Sequence, residues 1–229
     1  MVKPPVTNKE RAISTHARGS QTRQTNKELR RQRIMDVARN QIARDGFDAF
    51  TIRMLATEAG VTVPTVHNLF GKKHDIFEEL CTEMVVRIDE VLSGPDLSDP
   101  IQAFEAFVDN LLALYREDEA FYRAAFTAGE RIGLFGHEQP NGIYRKSLRV
   151  AKALCQRARA DGYLEGRVHT DQMATQLFGC QRLARQDWVA GYIDLQRYRT
   201  QVLAGMCIAY AADATPEFRE RLHVYMGSL

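Results

Sequence analysis

From residue 27 onward, apolar residues are spaced at the period of an α-helix, and no segment shows the alternation of a β-strand. In the first such segment Ile34, Ala38 and Ile42 share one face, and Asp45-Gly46 supplies a glycine of the kind that ends helices. Caps and helix-starting prolines divide the rest of the chain in the same way. The further helices are predicted at about 52–59, 63–70, 73–92, 100–116, 118–130, 140–161, 171–190, 194–212 and 216–226. The sequence therefore predicts an all-α protein.

The clearest internal break is the segment SGPDLSDP at residues 93–100, which separates a small N-terminal part from a larger helical body. Residues 1–26 are polar, contain two prolines and show no sustained period, so we expect a flexible arm there. The predicted organisation is an arm at 1–26, a three-helix unit at 27–84 and a larger helical domain at 85–229.

Charge is distributed unevenly along the chain. Residues 1–33 hold nine Lys or Arg and two Glu, a net charge of +7, whereas the whole chain carries only +2. A basic end on a mildly acidic remainder indicates a polyanionic partner at that end. A solvated tail without a partner is the alternative interpretation.

Motifs of several other function classes do not occur in the sequence. The four cysteines stand far apart, and no Cys or His spacing is typical of a zinc site. His74 and Glu78 share a helix face, but no third metal ligand lies beside them. A glycine-rich phosphate loop and a GxSxG motif are both lacking. We therefore expect no enzyme, no catalytic residue, no metal and no cofactor.

The chain has no apolar run of the roughly 20 residues that span a membrane. Its N-terminal segment also lacks the apolar core of a signal peptide. The expectation is a cytoplasmic protein without a membrane partner.

Residues 51–73 carry the strongest local signals. Thr51 can cap a short helix that ends at Gly60, and Thr62 can cap a second short helix. Pro64 then lies in the first turn of that helix, where the backbone N–H groups have no intrahelical partner and proline costs nothing. Two short helices joined by a tight glycine turn are typical of a helix-turn-helix.

The second of these helices is predicted to be polar on its outer face, because Val66 and Phe70 point inward and leave Thr65, His67 and Asn68 outside. Two lysines, Lys72 and Lys73, follow at the start of the next helix, where free N–H groups and the helix dipole favour an anion. Together these features predict a frame that binds phosphates around a DNA-reading helix. Plain solvated surface is the alternative for the polar face alone.

Residues 51–77 resemble the DNA-binding unit of the tetracycline-repressor (TetR) family. The matching positions are Gly60-Val61-Thr62 in the turn, Pro64-Thr65-Val66-His67 in the recognition helix, Phe70, and Lys72-Lys73-His74 at the next helix start. His67 stands where the family usually has a phosphate-contacting tyrosine. Val63 either belongs to the core or faces DNA, where it would touch a thymine methyl group. The DNA-binding residues that this resemblance implies are Thr51, Thr62, Val63, Pro64, Thr65, His67, Asn68, Lys72 and Lys73.

Residues 85–229 resemble the family's ligand-binding and dimerising domain in helix number and order. Their aromatic residues fall at helical spacing, which is typical of a core, and the resemblance implies that part of this core is hollow and holds an effector. The candidate pocket residues are Phe107, Leu111, Tyr115, Tyr122, Arg123, Phe126, Tyr144, Leu148 and Phe178. The candidate dimer-interface residues, for which solvated surface is the alternative, are Arg182, Arg185, Trp188, Val202 and Met206.

The resemblance implies a homodimeric transcriptional repressor that binds a palindromic operator in double-stranded DNA. A small, largely apolar effector would release it by favouring a spacing of the two reading heads that no longer fits the DNA. A transcriptional activator, or a DNA-binding protein that needs no ligand, is the alternative.

Overall fold

The structure, a computed structural model, describes residues 8–92, 99–136 and 142–229, with the side chains of residues 8–23 and of residue 92 left out. The described residues form helices and no β-strand, with one isolated antiparallel bridge between Leu164 and Ala214. The all-α prediction is confirmed. The helices are α1 (Asn8–Ala49), α2 (Ile52–Ala59), α3 (Val63–Phe70), α4 (Lys73–Leu92), α5 (Pro100–Glu117), α6 (Glu119–Arg131), α7 (Ile143–Ala160), α8 (Thr170–Val189), α9 (Leu195–Ala211) and α10 (Pro216–Gly227).

The first four helices enclose a small apolar core. Ile34, Ala38 and Ile42 of α1 are buried as their spacing predicts, and Val66 and Phe77 reach the same core from α3 and α4. Near the end of α1 the backbone is interrupted at Gly46, whose φ of 79° and ψ of 163° are not helical. A positive φ is accessible to glycine without steric cost, so the predicted helix end at Asp45-Gly46 is confirmed.

The start of α1 differs from the sequence expectation. The helix begins at Asn8, whereas an irregular arm was expected as far as residue 26. Between residues 8 and 26 the chain has no proline and only one glycine, with Lys, Arg, Glu, Gln and Ala in many positions. Such residues lose little side-chain freedom in a helix, and a surface helix needs no apolar stripe to continue. Residues 1–7 of the expected arm lie outside the described residues.

Helices α5 to α10 form the larger body around an aromatic centre. The Tyr115 ring stacks on the Trp188 ring with centroids 5.0 Å apart and an interplanar angle of 6°. Tyr198 meets the edge of this pair, at 6.3 Å from Tyr115 and 6.4 Å from Trp188. Because aromatic pairs in such geometries add to the free energy of burial, these rings fix α5, α8 and α9 against one another.

The two parts of the chain are joined by packing as well as by the backbone. The boundary predicted after residue 84 falls inside α4, which runs from the small core into the body without a break. In addition, α1 packs along α6. Arg39 forms an ion pair with Asp118 and lies over the ring of Phe121 at 4.1 Å. The expected break at 93–98 and the expected helix start at residue 140 lie outside the described residues.

Candidate nucleic-acid interface and ligand cavity

Helices α2 and α3 both begin at a predicted threonine cap, and a tight turn joins them. Thr51 Oγ1 accepts a hydrogen bond from the N–H of Met54 at 3.2 Å, and Thr62 Oγ1 accepts one from the N–H of Thr65 at 3.3 Å. Between them Gly60 adopts the left-handed conformation, with φ 66° and ψ 37°, and ends α2. Pro64 lies in the first turn of α3, as predicted. The chain therefore forms a helix-turn-helix.

Helix α3 presents a polar face to solvent. Val66 and Phe70 are buried, while His67 and Asn68 are exposed on the opposite side, as the sequence predicts. Thr65 is half-buried, and its hydroxyl lies 2.8 Å from the Thr62 hydroxyl. The predicted base-reading positions thus lie together on one outward surface. We call this surface, formed by Thr62, Val63, Pro64, Thr65, His67 and Asn68, the reading face.

The sequence predicts that Val63 lies either in the core or against DNA. In the structure it is half-buried and packs against the edge of the apolar core. One part of the side chain is therefore fixed by packing, and the remainder is accessible at the start of α3. This position is compatible with an apolar contact to a base, which stays a prediction.

His67 is held in a defined orientation at the end of the reading face. Its Nδ1 lies 2.8 Å from the carbonyl oxygen of Gly71. Because a carbonyl oxygen only accepts hydrogen bonds, Nδ1 carries the proton and donates. The outer nitrogen, Nε2, then has a lone pair in the neutral ring and an N–H group only in the imidazolium form.

The two lysines differ in their surroundings. Lys72 is exposed, and its backbone N–H donates to Asp75 Oδ2 at 2.7 Å. Lys73 is half-buried, and its ammonium group donates to the carbonyl oxygen of Asp48 at 3.0 Å while it lies 4.5 Å from the centre of the Phe47 ring. An ammonium group has three donors, so this bond leaves donors for a phosphate. Lys72 is nevertheless the freer of the two cations.

Arg31 positions the reading face from α1, a role that sequence reasoning missed. Its guanidinium donates to the carbonyl oxygen of Leu69 at 2.6 Å, pairs with both carboxylate oxygens of Glu79, and lies 4.2 Å from the centre of the Phe70 ring. These contacts tie α1, α3 and α4 together. The sequence showed Arg31 only as one charge of a basic run, because the partners are 38 and 48 residues away.

A small cavity of about 20 Å³, room for about one water molecule, lies between α5, α7 and α8. Its wall includes Phe104, Phe107, Leu177, Phe178 and Gln181. Two of the predicted pocket residues, Phe107 and Phe178, are among those that line it. A third, Tyr144, meets the Phe178 ring edge to face at 4.9 Å and supports the wall.

The other predicted pocket residues do not line this cavity. Leu111, Tyr115, Tyr122 and Phe126 are instead buried in the packed aromatic centre. Leu148 is half-buried in the core near the cavity without lining it. Arg123, expected to bind the effector, instead donates to Glu119 Oε1 at 2.9 Å and to the Trp188 carbonyl oxygen. Its guanidinium also lies 4.9 Å from the Trp188 ring.

Four of the five predicted dimer-interface residues are wrong. Arg185, Trp188, Val202 and Met206 are buried inside a single chain, so a partner chain could not contact them. Their helices also have an outer face, where Leu183 is 53% and Ile208 is 64% exposed. Arg182 is accessible, with Glu130 Oε1 at 3.8 Å from its guanidinium. The helices α8 and α9 were identified in the sequence, but their buried and exposed faces were exchanged.

The described residues contain no cluster of His, Cys, Asp and Glu that would hold a metal ion. All four cysteines are free, and burial raises the pKa of the Cys81 and Cys155 thiols to about 12. Such thiols are poor nucleophiles at neutral pH, because the thiolate is the reactive form. Among the helices of the described segments, none combines the length and the apolar character needed to cross a bilayer.

The chain resembles known regulators in sequence. Residues 34–80 match the family described as bacterial regulatory proteins, tetR family. The chain is 25% identical over 112 residues to the nicotine-responsive transcriptional repressor HdnoR of Paenarthrobacter nicotinovorans, a match that covers 49% of the chain and 57% of the relative. It is 25% identical over 85 residues to the regulator BetI of Vibrio parahaemolyticus, with 37% and 43% covered. The chain thus spans about half the length of these curated relatives.

The fold also matches solved structures. That of SmeT, the repressor of the Stenotrophomonas maltophilia multidrug efflux pump SmeDEF, superposes with a TM-score of 0.65 at 20% identity. The match covers 82% of this chain and 92% of SmeT, so it includes the larger body as well as the helix-turn-helix. Residues 34–80 thus resemble the tetR family of bacterial regulatory proteins in sequence, and the chain shares its fold with solved structures such as that of SmeT.

Proposed function

We propose that this chain is a DNA-binding transcriptional regulator, most simply a repressor, that inserts α3 into the major groove. The observation that carries the proposal is the reading face, with exposed His67 and Asn68 on a short helix that Thr62 caps and Arg31 anchors. Rigid presentation of a few polar side chains is what direct base readout needs. The match of residues 34–80 to a family of bacterial regulatory proteins supports the same conclusion.

Phosphate contacts would flank the reading face. Lys72 is exposed beside it at the start of α4, and Thr51 and Thr62 stand exposed at the starts of α2 and α3. Lysine and hydroxyl donors at helix starts fix the position of a protein on DNA without reading its sequence. The basic N-terminal segment, which is helical from Asn8 onward, would add sequence-independent affinity for DNA.

We further propose that the regulator is a homodimer joined through the outer faces of α8 and α9. Support comes from the exposed side chains of Leu183 and Ile208 and from the groove beside them, which Gln176, Cys180 and Gly205 help to line. Exposed apolar side chains along two adjacent helices are typical of an interface with a second copy. Leu183→Asp should convert the dimer to monomers in light scattering, whereas Val224→Asp on exposed α10 should not.

The effector would bind in the larger body at the cavity between α5, α7 and α8, which would have to widen to admit it. The relatives support this only by analogy: HdnoR is nicotine-responsive, and SmeT represses a multidrug efflux pump. In a population-shift mechanism the effector binds one conformation of the body better than the other. Helix α4, continuous between the body and the reading unit, and α6, packed on α1, are the elements that would transmit the shift.

The proposal is tested by selecting binding sites from random duplex DNA with the purified full chain, followed by footprinting of the selected sequence. We expect an inverted repeat with half-sites about one helical turn, ~34 Å, apart or a near multiple. Asn68→Ala should relax the base preference at one position of each half-site. Selection of no sequence, or a footprint without two-fold symmetry, would contradict the dimeric regulator.

A further inference from the structure

We propose that the exposed side of α7 is a second surface for duplex DNA, which binds the phosphate backbone without reading the base sequence. The proposal goes beyond the proposed function, because α7 belongs to the larger body and takes no part in the helix-turn-helix. It rests on the charge of this helix, on its ion pairs and on the side chains that surround the cations.

Helix α7 is strongly basic. Its 18 residues include six Lys or Arg and no Asp or Glu. The buried residues of the helix, among them Ala151 and Cys155, face the body. On another face, accessible polar residues recur every three or four positions, the spacing that places side chains in one row along a helix. We call this row the α7 stripe; it consists of Arg145, Arg149, Lys152, Gln156 and Arg159.

Two guanidinium groups of the α7 stripe have no carboxylate partner. Lys146 pairs with Asp89 and Arg157 with Asp161, but neither cation belongs to the stripe. Within the stripe, Lys152 pairs with the exposed Asp171.

Arg149 and Arg159 are exposed and take part in none of the ion pairs that the described residues form. An arginine side chain presents paired N–H donors that match the oxygens of a phosphate. These two residues are therefore available to an anionic partner.

The length of the α7 stripe suits a duplex. From Arg145 to Arg159 the helix rises about 21 Å, at ~1.5 Å per residue. A duplex rises ~3.4 Å per base pair, so the stripe matches the length of about six base pairs. Between the cations, Gln156 adds an uncharged donor of the kind that also contacts phosphate.

The surroundings of the cations favour a phosphate backbone over a protein or a membrane. None of the large apolar side chains that are exposed lies on α7, and Ala153 is a small neighbour in the middle of the stripe. A protein partner normally buries an apolar centre, and a helix that lies in a membrane inserts an apolar face. A phosphate backbone needs neither, since contacts with cations and the release of counterions supply the free energy of binding.

The α7 stripe lies away from the reading face. Lys146, beside the start of the stripe, pairs with Asp89 of α4 at 2.8 Å. Asp89 is about 24 Å along α4 from Lys73, which stands at the end of α4 next to the reading face. We therefore expect the stripe to hold a second segment of DNA and not the segment that α3 contacts.

The test uses the full chain and a fluorescently labelled random duplex of about 20 base pairs. Asn68→Glu/Lys72→Glu adds negative charge beside α3 and should prevent binding there. Anisotropy should still detect binding of the duplex by this reading-face variant at about 50 mM salt. Adding Arg149→Gln/Arg159→Gln should lower the salt slope by about two and weaken binding at least about tenfold, since each lost phosphate contact lowers the slope by about 0.9.

Single variants keep the test valid if the combined variant does not fold. In the reading-face variant, Arg149→Gln should lower the salt slope by about one. Arg116→Gln, which removes the same charge from an exposed position on α5, should leave the slope unchanged. An equal loss in these two variants would mean that only net charge matters and would overturn the proposal.

Two further outcomes would also overturn it. One is a reading-face variant that binds no duplex, or one whose binding does not respond to Arg149→Gln. The other is binding to anionic phosphatidylglycerol vesicles, but not to the duplex, that Arg149→Gln/Arg159→Gln abolishes, because the stripe would then contact a membrane surface. Site selection through α3 is measured separately, and Arg149→Gln/Arg159→Gln alone should select the same sequence as the unchanged chain.

Discussion

DNA binding by this chain should strengthen as the pH falls, because of the way His67 is held. Nδ1 donates to the Gly71 carbonyl oxygen at 2.8 Å, which leaves Nε2 as the nitrogen that can face DNA. In the neutral ring Nε2 is an acceptor, and a phosphate oxygen is also an acceptor, so the two repel. Only the imidazolium form, with N–H on both nitrogens, donates to the phosphate.

The magnitude follows from proton linkage. If each His67 gains one proton on binding, the logarithm of the association constant changes by about one unit per pH unit for each protomer, and by about two for a dimer. Each additional phosphate contact should also steepen the salt dependence by about 0.9.

The assay is fluorescence anisotropy with a labelled operator duplex between about pH 6 and pH 8, the range in which histidine side chains titrate. His67→Gln cannot titrate, and His67→Tyr restores the residue usual in the family, so both should remove most of the pH slope. His223→Gln on exposed α10 should leave the slope unchanged. His74, exposed on α4 and packed edge-on against Phe47, needs its own Gln variant. An undiminished slope in His67→Gln would refute the reasoning.

Three further predictions concern the two lysines, Asp213, and the Arg131–Asp48 pair. Lys72→Ala should weaken operator and random DNA alike, with a salt slope lower by about one per subunit. Lys73→Ala should lower the midpoint of thermal unfolding more, since its ammonium also contacts Asp48 and Phe47. These roles would be contradicted if Lys72→Ala lowered the midpoint of unfolding more than Lys73→Ala. Asp213→Ala should cost about 3 kcal/mol or more in urea unfolding, because three backbone N–H groups lose a buried carboxylate, whereas a loss under about 1 kcal/mol would contradict it. Arg131→Ala, in a double-mutant cycle with Asp48→Ala, should show almost no coupling in urea unfolding, since both side chains are exposed and solvent screens the pair.

The local signals in this sequence were sufficient for the helix-turn-helix. A cap, a left-handed glycine and a first-turn proline each depend on residues within about four positions, and so Thr51, Gly60 and Pro64 behave as predicted. The same reasoning located the long helices, because their ends carry caps or prolines. It failed at residues 8–26, because weak periodicity there predicts an irregular backbone, whereas the residues between Asn8 and Asn26 include no proline and form a helix.

The faces of α8 could not be predicted in the same way. This helix carries apolar and charged residues on both sides, and Arg185 lies on the buried one, over the Phe126 ring at 4.8 Å. A charged residue in the sequence favours the surface, and only the three-dimensional packing of α5 and α6 shows otherwise. Gln181, one helical turn earlier, is buried on the same side. Gln181 follows Phe178 by three residues and Leu177 by four, so the three share one helix face. This spacing was the available signal for the cavity.

Asp48 contacts both the larger body and the N-terminal part that carries the helix-turn-helix. Its carboxylate accepts two hydrogen bonds from Arg131 at the end of α6, both at 2.7 Å. Its backbone carbonyl oxygen accepts a hydrogen bond from the ammonium group of Lys73 at the start of α4. A shift of α6 would therefore act on the turn that follows Gly46 and on the first turn of α4. The reading face itself is tied to α1 and α4 by Arg31. Since no single exposed contact contributes much, the proposed coupling between effector and DNA would depend mainly on the packing of α6 on α1 and on the continuity of α4, with Asp48 as a minor link between them.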